Sequence, residues 1–328
     1  MIILGLYKRF KCVAGDCYLD CCSGWKITVD NKTLNKHGYF DENDSNENNL
    51  KDIIKDNISN ENVLNDITKD NISNENFLSD ITSKDNISNE YIYKTVSKKF
   101  KANIIKKNDE YIILHRDGTH CSMLDEDGLC YIQRNLGEDY LPLTCRKFPR
   151  LFFGNKFLSM SASCPVVIHY LLNENIKYYE TDGPGLSSDI RAISAKDNVY
   201  LKICGYIYKD IKSKNVLSPL DNLKGQLKRV IDNFMVNYII YRSMNILFDY
   251  LTSSAIIYSD NNDFSEYCDI NDLPSSLKAS FDLFYKEILS LSDLLNDYFL
   301  RNKADTFNQE ELIKEICMFY RDNLHSEK

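Results

Sequence analysis

Eight of the eleven cysteines fall in two blocks, Cys12, Cys17, Cys21 and Cys22, then Cys121, Cys130, Cys145 and Cys164. Thiols crowded in this way end as ligands or as disulfides, and either outcome decides which distant segments must meet. The spacings favour ligation. Intervals of four and three residues let Cys12, Cys17 and Cys21 converge on one centre from a loop or a helical turn. The adjacent pair Cys21 and Cys22 makes a poor disulfide, because bridged Cα atoms sit ~4.4–6.8 Å apart with directed Cβ vectors.

Compartment bears on the same choice. The opening MIILGLYKRFKC places Lys8, Arg9 and Lys11 after its apolar stretch rather than before it, with no small-residue cleavage site following, so it does not read as a signal peptide. No apolar run reaches the ~20 residues of a membrane span. The best, from Phe234 to Tyr258, is interrupted by Asn237, Arg242, Asn245 and Asp249. These features predict a cytoplasmic protein without a membrane partner, where thiols stay reduced unless they are catalytic or metal-bound.

The net charge of −8 is a local property. Residues 41–90 hold 13 Asp or Glu against 4 Lys, which leaves the remainder close to neutral. The same stretch repeats itself: KDNISNEN at 55–62, again at 69–76, and KDNISNE at 84–90, with Leu50, Leu64, Leu78 and Ile53, Ile67, Ile81 in register. Asn, Asp and Ser dominate between those apolar positions, so a solvated, disordered insertion is expected over 41–90. No basic stripe is present, which argues against a nucleic-acid partner.

With 328 residues and 43% hydrophobic content, the chain has room for about two domains. Trp25 to Val29 and Tyr111 to Leu114 are β-branched and aromatic enough to be strands. Downstream, Leu220 to Leu251, Ser276 to Leu300 and Gln309 to Asn323 carry apolar residues at helical spacing, with Ser218-Pro219 before the first and Asn308 placed to cap the last. The expected fold is mainly α, with a small cysteine-rich α+β metal-binding region at the N-terminal side and a helical C-terminal half. The expected division is residues 1–40 with 91–172 as the cysteine-cluster domain, 41–90 as the insertion and 173–328 as the helical domain. Cys204, Cys268 and Cys317 stand singly in that last part and read as core filler.

The segment FKCVAGDCYLDCCSGWKITVD (10–30), the segment CSMLDEDGLCYIQRNLGEDYLPLTCRKFPR (121–150) and SASCPVV (161–167) together resemble the bacterial flagellin lysine-N-methylase family, one of the groups with a zinc- or iron-chelating cysteine cluster. The likeness covers roughly 10–35 and 98–172. NFMVNYIIYRSM (233–244) looks like a helix motif of the same family, while the repeat insert has no counterpart. The resemblance implies methyl transfer from S-adenosylmethionine to lysine ε-amines of flagellin. It also implies a metal set of Cys12, Cys17, Cys21, Cys22, Cys121, Cys130, Cys145 and Cys164, expected to form one unit. The alternative is a non-enzymatic metal- or iron–sulfur-binding protein, or an interaction scaffold of the same cysteine-cluster group.

Other motifs narrow the chemistry further. No GxGxxG occurs among the 12 glycines, and Asp182-Gly183-Pro184-Gly185 reads as a turn. The spacing also departs from the CxxxCxxC of radical S-adenosylmethionine enzymes. Without a CxxC knuckle, the mixed intervals favour an iron–sulfur cluster, with zinc as the alternative. Arg146 and Arg150 of CRKFPR are placed either to hold a carboxylate or to bridge the Asp125-Glu126-Asp127-Gly128 turn. His115 and His120 read as loop histidines. The sequence assigns no catalytic base and no donor pocket.

Overall fold

The computed structural model describes residues 1–13, 16–17, 19, 21–40, 81–154, 156–182, 190–194, 198–253, 271, 273–302 and 307–324. Cys268, the Gly183-Pro184-Gly185 turn and residues 41–80 of the repeat insert lie outside the described residues.

The chain begins with β1 (Ile2–Leu4), α1 (Gly5–Arg9), β2 (Thr28–Val29) and α2 (Asn31–Lys36). After the insert come α3 (Ile81–Ala102), β3 (Ile104–Lys107), β4 (Glu110–Ile113), β5 (His115–Arg116), β6 (His120–Cys121), α4 (Tyr131–Leu136) and α5 (Leu143–Lys147). Then follow β7 (Arg150–Phe153), β8 (Phe157–Met160), α6 (Pro165–Asn173), β9 (Tyr178–Thr181) and β10 (Ile190–Ala192). The chain continues through α7 (Val199–Ser213), a 3-10 turn at Ser218–Asn222, α8 (Gly225–Ser253), α9 (Ser275–Arg301) and α10 (Gln309–Leu324). These elements form two compact units, one of Met1–Cys21 with Lys147–Lys328, the other of Cys22–Arg146.

The larger unit is organised on a five-stranded sheet of order β10-β9-β1-β8-β7. Its β1 runs parallel to β8 and antiparallel to β9, with Ile2 facing Phe157 on one side and Glu180 on the other. All three residues of β1 are buried, as suits an interior strand covered on both faces. The turn out of β1 is tight. Gly5 donates its N–H to the Lys177 carbonyl at 2.9 Å, and a Cβ at this position would stand 2.8 Å from the Tyr179 ring.

Helix α8 is the axis of this unit, buried on successive turns from Ile231 to Leu251. Three polar residues inside its apolar sequence reach specific partners. Asn237 donates to the Leu171 and Glu174 carbonyls at 2.9 and 2.8 Å, which satisfies the end of α6. Tyr241 donates to the Met160 carbonyl, and Asn245 accepts from Ser159 at 2.7 Å. Asn308 caps α10 through the N–H groups of Glu310 and Glu311, as its position implies.

The smaller unit carries the sheet β2-β4-β3 and the two-stranded hairpin β5-β6. Asn108 and Asp109, at φ 49° and 64°, make the β3–β4 turn with the left-handed pair that a tight hairpin requires. Its core gathers Ile27, Val29, Leu34, Val96, Phe100, Ile104, Ile113, Met123, Leu124 and Ile132. Asp30 caps α2 by accepting the Thr33 N–H at 3.0 Å, and its second oxygen accepts the Leu143 N–H at 2.8 Å.

Several expectations change. The fold is mainly α, but strands also build the larger unit, around a β1 that the sequence pattern did not mark. The expected WKITV strand shortens to Thr28–Val29. The compact units part near residues 21–22 and 146–147. Helix α3 begins at Ile81 and takes in residues 81–90 with the last repeat copy.

Candidate functional site

The two units divide the eight cysteines evenly. Cys12, Cys17, Cys21 and Cys164 belong to the larger unit, and Cys22, Cys121, Cys130 and Cys145 to the smaller, so the adjacent pair Cys21–Cys22 is split between them. The described cysteines, including Cys204 and Cys317, are thiols rather than disulfides.

In the larger unit Cys164 ends the turn after β8 and opens α6, where Val167 and Ile168 donate to its carbonyl at 3.0 and 3.3 Å. Burial pushes its thiol up to about 12; the N–H groups of Val166 and Val167 oppose this, and the nearby Cys17 and Cys12 reinforce it. Burial also raises the Cys17 thiol, against the Leu19 N–H, with Cys12 and Cys21 adding to the rise and Arg321 opposing it. Cys17 therefore lies within electrostatic reach of Cys12, Cys21 and Cys164, and Cys164 also of Cys12.

A fifth thiol belongs to this neighbourhood. Cys317 on α10 is fully buried, and burial holds it well above its ordinary value, with Cys164 and Cys17 raising it further and Arg321 lowering it. Arg321, one turn later, donates to the Ser163 carbonyl at 3.4 Å. Sequence reading gave Cys317 only a packing role. The available clue was the i, i+4 spacing of Cys317 and Arg321, which puts both on one face of a helix.

In the smaller unit the backbone gathers four separate cysteine-bearing segments. The β5–β6 hairpin turns at Asp117 and Gly118, both at positive φ, and places His115 directly across from Cys121. Gly24 donates to the Thr119 carbonyl at 3.0 Å, which brings the Cys22 segment to the hairpin tip. Leu124 bridges to Cys130, and Tyr131 donates to the Met123 carbonyl at 2.8 Å, so Cys130 starts α4 beside the Cys121 segment. Thr144 meets Thr28 at 3.0 Å, and with the Asp30–Leu143 bond this holds α5, which carries Cys145, against β2 and α2. Cys121 is buried, and Cys22, Cys130 and Cys145 pack half-buried against the same core.

The polar residues singled out beside the cysteines also find their places. Arg134 and Lys99, rather than Arg146 or Arg150, bridge the acidic turn: Arg134 pairs with Asp125 at 3.1 Å and with Asp127, and Lys99 lies 3.5 Å from Asp125. Gly128, at φ 77°, closes that turn. Arg150 stacks over the Tyr7 and Phe10 rings at 5.5 and 5.3 Å. His115 and His120 sit on strands rather than loops, and His120 lies 3.2 Å from the Asp117 carboxylate.

Among the described residues no three His, Cys, Asp or Glu side chains stand in metal-ligating geometry. Thiolate sulfur is the kind of donor that zinc and iron–sulfur clusters take. Ligands of this kind commonly close only around the metal, since binding and local folding are coupled. Buried polar atoms without hydrogen-bond partners also flank the cysteines of the smaller unit, at Ser23 Oγ, His115 Nε2, Ser122 Oγ and Arg146 Nε.

The chain is similar to proteins of Salmonella. Over 172 residues, 51% of its length, it is 27% identical to the "Lysine-N-methylase" of Salmonella typhimurium strain LT2, and the match covers 31% of that protein. It is 28% identical, again over 172 residues, to "Flagellar biosynthetic protein FliU" of Salmonella muenchen, covering 73% of that protein. A second "Lysine-N-methylase", from Salmonella choleraesuis, is 27% identical over the same length and is covered to 31%. The chain thus spans about a third of the length of the methylases it matches. No family model matches it, and no solved structure does.

Proposed function

We propose that a chain similar over half its length to proteins named lysine-N-methylase is itself a protein-lysine N-methyltransferase, with flagellin as substrate and S-adenosylmethionine as donor. The observation that carries this reading is the matched relatives, two named for lysine methylation and one for flagellar biosynthesis. In the reaction the neutral lysine amine attacks the sulfonium methyl carbon. The carbon–sulfur bond breaks toward sulfur, S-adenosylhomocysteine leaves, and the ammonium product gives up a proton. A lysine with a pKa near ~10.4 must be desolvated or deprotonated before it can react.

The two four-cysteine groups would hold metal, as iron–sulfur clusters or zinc. Their contribution would be to fix the local chain around the sulfurs, and no step of the transfer is assigned to them. The test is intact-mass analysis of flagellin from cells with and without this gene, where masses should differ by whole methyl groups. Identical masses would refute the reading. The missing glycine-rich donor turn favours one alternative, a non-enzymatic cysteine-cluster protein. Titration calorimetry with S-adenosylmethionine separates the two, since only the methylase binds the donor.

A further inference from the structure

We infer that the lysine face of α3, formed by Lys94, Lys98 and Lys101, is a docking surface for this chain's own acidic segment, residues 41–80. The inference is independent of the proposed function and concerns the smaller unit alone.

The path of the backbone brings segment and helix together. Three contacts lead the end of α2 along α3: Tyr93 donates to the Lys36 carbonyl at 2.7 Å, His37 meets Ser97 at 3.0 Å, and Lys101 donates to the Gly38 carbonyl at 3.4 Å. Each step advances four residues, about one turn of α3. The chain therefore departs for residues 41–80 beside the C-terminal end of that helix. It rejoins at Ile81, the N-terminal end. At ~1.5 Å per helical residue, the segment between has to travel back over about 30 Å, the length of α3.

The helix face that borders this path is basic. Lys94, Lys98 and Lys101 recur at i, i+4 and i+7, which places them on one side of α3. Lys94 and Lys98 are exposed and Lys101 is half-buried, while Val96 and Phe100, on the other side, are buried in the core. Lys101 belongs both to the lysine face and to the line of contacts with α2. Basic charge continues at the point of departure. Phe40, where the segment leaves, meets the Tyr111 ring at 5.8 Å, and Lys106 lies over the same ring at 5.8 Å.

Residues 41–80 carry the complementary charge, 11 Asp or Glu against 3 Lys. The last repeat copy shows the pairing within the described residues: Glu90 of KDNISNE reaches Lys94 at 2.7 Å. The copies at 55–62 and 69–76 hold Glu61 and Glu75 in the equivalent place. Single exposed ion pairs contribute little, so docking rests on several acting together and is weakened by salt. Three lysines with Glu90 beside them suit a run of spaced carboxylates better than a continuous phosphate backbone.

Carbodiimide coupling of the full chain tests this, because the reagent joins carboxylates to amines that touch them. Peptide mass spectrometry should find Lys94 and Lys98 linked to Asp or Glu of residues 41–80. The links should form within one chain when isotopically light and heavy protein are mixed, and should be lost in ~1 M salt, where the Debye length falls to ~3 Å. The double substitution Lys94→Gln with Lys98→Gln should leave circular dichroism unchanged, since both side chains are exposed. In that variant a glutamate-specific protease should cut after Glu61 and Glu75 several-fold faster than in the unsubstituted chain.

Coupling that reaches Lys202 of the larger unit as often as Lys94 and Lys98 would overturn the inference, as would the absence of any link from residues 41–80 to α3. Links between light and heavy chains would assign the lysine face to a second copy instead. Cleavage at an unchanged rate in the double variant would show that these lysines do not hold the segment.

Discussion

Glu287 on α9 accepts from Tyr238 at 2.9 Å and, in a fork, from Nε and Nη2 of Arg242 at 3.0 and 2.9 Å. Both charged side chains are nearly buried, at 12% and 8% exposure, and Arg242 also lies over the Phe284 and Tyr320 rings. Burial works against the guanidinium charge, but Glu287, with Tyr320 and Tyr238, more than offsets it. Removing one partner strands the other. Glu287→Ala should cost about 3–5 kcal/mol in denaturant unfolding, whereas the double change Arg242→Met with Glu287→Met should cost much less.

His37 is the corresponding point in the smaller unit, stacked on Phe100 at 4.1 Å. Its Nε2 donates to the Tyr140 carbonyl at 3.0 Å, which leaves Nδ1 to accept from Ser97 at 3.0 Å. Burial lowers its pKa, the Tyr140 carbonyl opposes this, and Lys36 adds to the lowering. The unfolded chain therefore binds the proton more readily, so stability is full above the ordinary histidine value near ~6.5 and falls as the pH drops below it. Trp25, the chain's one tryptophan, packs on the same core. Its fluorescence should report an acid-side loss of stability that His37→Gln flattens.

Elements differ in how far the sequence revealed them, and the reason is the range of their contacts. The long helices announce themselves through apolar periodicity, and their observed bounds differ from expectation by a few residues. The shift from Leu220 to Gly225 arises because Pro219 starts a separate 3-10 turn. The strands of the larger unit were not legible. Ile2 to Leu4 is a three-residue apolar run whose partners, Phe157 and Tyr179, lie more than 150 residues away. The polar residues of α8 were equally opaque, because Asn237, Tyr241 and Asn245 answer to Leu171, Met160 and Ser159, which no local pattern connects to them.

Two substitutions test elements directly. Gly5→Val should destabilise the larger unit, because its Cβ would meet the Tyr179 ring and the Lys177 carbonyl; thermal unfolding measures this as a drop in Tm, with Gly5→Ala intermediate. Asp30→Ala removes the cap of α2 and the bond that holds α5. A loss of about 1–2 kcal/mol is expected from the cap, with more from the stranded Leu143 N–H.

At the scale of the whole molecule, the cysteines show what a linear reading can and cannot supply. Their crowding and order were visible, and so was the family likeness they carry. Their partition was not, because Cys21 and Cys22 are neighbours in sequence yet belong to different compact units. What separates them is the path of the backbone: the chain completes β1 and α1, leaves for residues 22–146, and returns at Lys147 to supply β8 and β9 on either side of β1. The larger unit is therefore closed by a strand from one end of the described chain, while the smaller one uses a single continuous stretch. This asymmetry makes a prediction. Deleting residues 1–9 removes the interior strand and leaves the facing edges of β8 and β9 unpaired, so the larger unit should lose its cooperative unfolding transition. Trp25 fluorescence should still report a sharp transition from the smaller unit. Simultaneous loss of both signals would mean that residues 22–146 do not hold their fold without the five-stranded sheet.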